Sequence, residues 1–212
     1  LYLKKGDVQS AQSSFEALVD LARSKTKKSK NGDQYALLSL ANIEFQRAKR
    51  LHSKGGLLTD IAKAHLENAS RIYEKALTYD HKNVYAANGL GIVLAELGHA
   101  EAAIDIFSKI NDQSSMLNSR INLAHMYMSN EKTNQSTEAA KLYEICVEQC
   151  DKMNTELHVE YLMYLARAYS RSEHYEKALS TLDIAKELKP DDLNIVFDIA
   201  ATQTFCANQL LD

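Results

Sequence analysis

Small residues recur along this chain at an interval that few folds can use. Ala69 and Ala103, Tyr73 and Phe107, and Ala76 and Ile110 are each 34 residues apart, a period that marks stacked structural units rather than a single globular core. A complete unit is legible between Leu162 and Pro190. There Leu162, Leu165, Ala166 and Tyr169 fall at helical spacing, and Ala178, Leu182 and Ala185 form a second helical stripe. Helices approach closely only where side chains are small, so Ala166 and Ala178 predict an antiparallel contact, with Leu162, Leu165, Tyr169 and Leu182 filling the space beside it. Pro190 cannot continue a helix and punctuates the unit.

This spacing is that of the tetratricopeptide repeat. One proline, seven glycines and no tryptophan suit an almost entirely helical chain with short connections. The expected fold is all-α, a right-handed α-solenoid running over residues 1–212. It holds about four complete repeats, at 33–81, 84–113, 117–151 and 158–190, with partial ones at 1–24 and 193–212, some eleven helices in all. Each repeat leaves an apolar face that only a neighbour covers, so weak end-to-end self-association is expected. The start at Leu1 rather than methionine reads as a piece of a longer chain.

Several details follow from local chemistry. Leu1 and Tyr2 read as the last turn of a helix, and Ala11, Phe15 and Leu18 take the positions of Ala178, Leu182 and Ala185. The basic stretch Arg23 to Lys30 lacks apolar periodicity and reads as a loop, and Asp33 as the N-cap of the next helix. Ala41 lies 28 residues before its second-helix partner Ala69, against 12 between Ala166 and Ala178, so about 16 residues are inserted. The stripe from Ile61 to Leu77, beyond Gly55 and Gly56, assigns the insertion to a second helix lengthened backward. Gly98 ends a first helix, whereas Gly89 and Gly91 lie inside it and allow close packing.

Chemistry-bearing patterns are sparse. Cys146 and Cys150 share a helical face with His158 not far on, yet no fourth ligand has zinc-like spacing, so packing is expected and no metal. His125 has no nucleophile with an acidic orienter beside it, so no catalytic residue is assigned. No phosphate-binding glycine loop appears, and no cofactor is expected. No apolar run approaches the roughly 20 residues needed to cross a bilayer. Three cysteines, an odd number, suit a reducing compartment.

Charge is unevenly placed. Residues 1–83 hold 15 Lys and Arg against 9 Asp and Glu, whereas the remainder holds 10 against 19, so the two ends favour different partners. Lys25, Lys27, Lys28, Lys30, Arg47, Lys49 and Arg50 form a candidate basic patch for weak nucleic-acid contact or nuclear import. The first helices of such a solenoid line its inner surface, and their non-core positions make a candidate partner groove: Tyr85, Asn88, Asn118, Asn122, His125, Tyr164, Arg167, Arg171 and Phe197. Asparagines can pair with an extended backbone, while aromatic and arginine side chains anchor it. A carboxylate clamp for chaperone tails is disfavoured, because Asn42 and Asn122 lack the accompanying lysines and Leu38 stands where one is needed.

The strings Asp33 to Ile43, Tyr85 to Gly91, Asn122 to His125 and Tyr164 to Ala168 resemble, in order along nearly the whole chain, the tetratricopeptide scaffold subunits of the polymerase-associated factor complex. Ala41 and Glu44 depart from that pattern, standing where a glycine and an aromatic are typical. The resemblance implies a nuclear, non-enzymatic scaffold that binds the other subunits of the elongation complex and RNA polymerase II and supports co-transcriptional histone modification. The alternatives are an adaptor in a chaperone or degradation pathway and a nucleic-acid-binding module using the basic residues.

Overall fold

The computed structural model describes residues 8–24, 30–52, 58–130, 135–150 and 153–209; among these are ten α-helices and no strand. The chain divides into two compact units, Leu1–Ser114 and Ser115–Asp212. The first contains α1 (Val8–Ser24), α2 (Lys30–His52), α3 (Asp60–Tyr79), α4 (Val84–Glu96) and α5 (Ala100–Gln113). The second contains α6 (Leu117–Ser129), α7 (Ser136–Gln149), α8 (Thr155–Arg171), α9 (Tyr175–Leu188) and α10 (Leu193–Gln209). Within each unit every helix packs on the next in sequence, and α2 also meets α4 as α8 meets α10. This is the all-α repeat architecture that the spacing predicts.

The small residues do what their size allows. Ala69, Ala103, Ala139 and Ala178 are wholly buried on the second helices, and Ala41 and Ala124 on the first. Tyr73, Phe107 and Tyr143 are buried beside them. A Cβ on Gly89 would stand 2.4 Å from the Tyr73 ring, and one on Gly91 2.7 Å from the Phe107 ring. Both glycines are therefore required by a ring lying against the backbone. Among the described residues side chains cap four helix starts: Thr59, Asn83, Asn154 and Asp192 accept from the backbone N–H of Ala62, Ala86, Leu157 and Asn194. After α4 the chain reverses through Gly98 at φ 84°, and after α8 through Glu173 at φ 64°. The same backbone bonds close both turns, with His99 N–H donating to the Leu94 carbonyl and His174 N–H to that of Tyr169.

Three expectations need correction. Asp33 is not an N-cap, because α2 already begins at Lys30. The insertion is not confined to the second helix. Ala69 lies nine residues beyond the start of α3, where Ala103, Ala139 and Ala178 lie three beyond theirs, and α2 continues eleven residues past Ala41, where α8 continues five past Ala166. Both helices of this hairpin are lengthened, and each extension covers the apolar stripe of the other. Leu18 is exposed and Val19 buried instead, because α1 turns its face chiefly to α2. The helix expected at Leu1 and Tyr2, Gly55 with Gly56, and Lys25, Lys27 and Lys28 lie outside the described residues.

Candidate partner-binding groove

The residue that follows the small core position on a first helix has a consistent task. Asn42, next to Ala41, accepts from the Tyr73 hydroxyl through Oδ1 at 2.5 Å. His125, next to Ala124, has its Nδ1 2.6 Å from the Tyr143 hydroxyl. Ile92, next to Gly91, stands in the repeat whose second-helix ring is Phe107, which has no hydroxyl to satisfy. Asn42 and His125 thus each satisfy the hydroxyl of a buried ring, while Asn42 itself stays exposed and His125 half-buried. Burial holds the His125 imidazole below its ordinary pKa, although Glu160 opposes the effect. The imidazole and the Tyr143 hydroxyl share this hydrogen bond, its direction set by the ring's tautomer, and burial raises that phenol. Burial likewise pushes Tyr73 up to about 12.

The other predicted groove residues separate into two groups. Tyr85, Asn118 and Phe197 are exposed, whereas Asn88 is buried in α4 and is not presented to a ligand. Asn122 is half-buried. In the second unit the structure brings several of them together. Tyr164 packs edge-on to His125 with ring centroids 4.6 Å apart, lies over Tyr143 at 5.8 Å, and donates its hydroxyl to Glu160. Burial and that carboxylate push Tyr164 up to about 12. Arg167 donates from Nε to Asp198 Oδ2 at 2.8 Å, crossing from α8 to α10. Asp198 is almost buried and Arg167 about half-exposed. Arg171 donates to the Met128 carbonyl.

Along the α8 and α10 face run two cavities with Arg167 in the wall of both. One, about 480 Å³, is mainly apolar and includes Arg171, Glu173, Leu182, Ala201 and Phe205. The other, about 310 Å³, includes Glu156, Glu160, Tyr164, Lys189 and Asp192. Both volumes lie in the range of sites that hold ligand side chains. Sequence reasoning missed Ala201. Its place between Phe197 and Phe205, at steps of four on one helix face, is the signal that would have found it.

Of the basic residues, Lys49 and Arg50 are exposed on α2. Arg47 instead pairs with Glu44 at 2.7 Å and with Gln12. The same nearly buried carboxylate meets His65 Nδ1 at 2.8 Å. Burial alone would raise Glu44, but hydrogen bonds from His65 and Asn68 and the Arg47 charge outweigh it and bring its pKa below the usual value. This network occupies the lengthened hairpin, where a charged side chain replaces the expected aromatic. Cys146 is wholly buried, and its thiol is pushed up to about 12, first by burial. Cys150 Sγ lies 2.9 Å from His158 Nδ1. Among the described residues no three His, Cys, Asp or Glu side chains gather as a metal site.

Comparison with known proteins agrees with this architecture. Tetratricopeptide repeat models match residues 60–115 and 162–195. The chain is 33% identical over 207 residues to a protein CTR9 homolog of Arabidopsis thaliana, covering 95% of this chain and 18% of that protein. It is 29% identical over 212 residues to the RNA polymerase-associated protein CTR9 of Caenorhabditis elegans, covering 100% of this chain and 17% of that protein. It therefore spans under a fifth of the length of these relatives. A solved tetratricopeptide repeat protein from Parabacteroides merdae shares the fold at a TM-score of 0.68 and 17% identity, over 97% of this chain and 70% of that one. With the repeat period, the buried alanine contacts and matches along its whole length all in agreement, the chain belongs to the CTR9-like tetratricopeptide-repeat family.

Proposed function

We propose that this chain is a non-enzymatic interaction scaffold of the RNA polymerase II-associated elongation machinery, acting in the nucleus and supporting elongation and co-transcriptional histone modification. The observation that carries the reading is the match to CTR9 proteins over 95% and 100% of the chain, one of them named as RNA polymerase-associated. The second unit supports it physically. Its α8 and α10 face combines exposed Phe197 and Phe205, exposed Arg171 and two side-chain-sized cavities, the mixture of aromatic and arginine anchors that protein interfaces favour.

Affinity purification from nuclear extract with mass spectrometry tests the reading. Recovery of elongation-complex subunits and polymerase is the expected outcome, and a preparation holding only chaperones or proteasome components would replace it with the adaptor reading. Arg171→Glu is the informative variant, since Arg167→Glu would also strip the nearly buried Asp198 of its partner. Circular dichroism should be unchanged while partner recovery falls.

A further inference from the structure

The cavities of the second unit differ in chemistry, and that difference carries information about what fits them. The larger is apolar at Leu182, Ala201 and Phe205. At its edge Arg171 spends one donor on the Met128 carbonyl and has no carboxylate at ion-pair distance among the described residues. A guanidinium carries five N–H donors, so a carboxylate can still be received there. Glu173, in the same wall, is turned toward Gln209, which donates to it at 3.0 Å. The smaller cavity gathers Glu156, Glu160 and Asp192, with Lys189 engaged by Glu156. Between the two stands the Arg167 and Asp198 pair, neutral in sum.

We infer that this face binds an extended segment of a partner protein with opposite charges at its two ends. A leucine-sized apolar side chain enters the larger cavity, an adjacent acidic side chain pairs with Arg171, and a basic side chain at the far end lies over Glu160 and Asp192. Length agrees with charge. Glu160 and Arg171 are separated by about 17 Å at the α-helical rise, the reach of roughly five residues in extended conformation. This inference rests on the scaffold reading for its biological setting but not for its chemistry.

The test uses the whole chain and two labelled peptides of identical composition, each about eight residues long, enough to cross that span with both ends free. One carries leucine beside two aspartates, with two lysines at the opposite end; the other carries leucine beside the lysines. Fluorescence anisotropy should show the first binding at least tenfold more tightly, Arg171→Glu weakening it at least tenfold, and replacement of its leucine by serine doing the same. Ala201→Phe, which fills the cavity without altering charge, should also abolish binding while helicity is retained. Equal affinity for both peptides, indifference to Arg171→Glu, or no binding of either up to millimolar concentration overturns the proposal. If the nuclear pull-down recovers polymerase-associated subunits equally with wild type and Arg171→Glu, the scaffold reading stands and this groove falls. If wild type recovers none, the scaffold reading falls while the peptide titration still decides the groove.

Discussion

The two units solve one packing problem in different ways. In the first, the second-helix ring of Tyr73 lies against bare backbone at Gly89. In the second, the corresponding ring of Tyr143 lies over Tyr164, two residues before Ala166 as Gly89 is two before Gly91. Both rings are buried, and both hydroxyls find a partner one residue past a small first-helix residue. The repeat therefore demands an aromatic plug and a satisfied hydroxyl, but it leaves open whether the plug rests on an absent side chain or on a second ring. Where the ring rests on nothing, the helices are locked together; where it rests on Tyr164, a half-buried side chain is displayed toward the candidate groove. The unit with the ring stack also holds the cavity of about 480 Å³.

Truncation of each ring gives the largest effect and tests this contrast directly. Tyr73→Ala and Tyr143→Ala should each cost about 3 to 5 kcal/mol in chemical denaturation. Tyr73→Ala should lie at the upper end, since Gly89 offers no side chain to fill the hole; a larger loss for Tyr143→Ala would contradict the contrast. Next comes Gly89→Ala, whose Cβ meets the Tyr73 ring, at about 1 to 3 kcal/mol. Its cost should shrink in a Tyr73→Ala background, because the two share one space. Tyr73→Phe and Tyr143→Phe remove only the hydroxyl and should each cost about 0.5 to 1.5 kcal/mol.

The turns after α4 and α8 sharpen the comparison further. Gly98 and Glu173 occupy the same left-handed position, so Glu173→Gly should stabilise the second unit by about 1 kcal/mol, read as a shift in denaturation midpoint.

The smallest effect is that of pH. His125 has a folded pKa below its usual value near 6.5, so the unfolded chain binds a proton first as pH falls. Stability from this site is complete above that value and is lost below it as pH falls through the folded pKa. In the first unit Glu44 also titrates low in the folded state, so its contribution persists down to about 4.5 and is lost as pH falls further, through the folded pKa. The stability of the second unit, read as a denaturation midpoint, should begin to fall in mild acid before the Glu44 contribution to the first is lost, and His125→Gln should remove that early loss.

The register was legible because it is enforced by volume. Ala69, Ala103, Ala139 and Ala178 cannot be enlarged without separating helices, so their spacing stands out against any surface composition. The forward extension of α2 was not legible for the opposite reason. Between Ala41 and Leu51 its buried Ile43 and Ala48 are interleaved with Glu44, Arg47, Lys49 and Arg50, and the apolar stripe is diluted. Glu44 is tolerated inside only because His65 and Arg47 reach it from two helices. Asn31 and Gly32 look like a loop by local preference, yet α2 runs through them, an override of propensity by the rest of the helix. In the candidate groove, residue type exposed Arg167, Arg171 and Phe197 as anchors. It could not show that Arg167 is committed to Asp198, since that pairing spans 31 residues.

The hydroxyl partnerships have a consequence for how such chains are inherited and rebuilt. Asn42 with Tyr73, and His125 with Tyr143, act as matched sockets and plugs carried on different helices of one hairpin. Recombination that exchanges a lone helix between hairpins would mate a polar socket with a ring that has nothing to offer it, or an isoleucine with an orphaned phenol. Whole hairpins should therefore travel as the smallest transferable cassette, and grafted chimeras cut at hairpin boundaries should keep stability that chimeras cut within them forfeit.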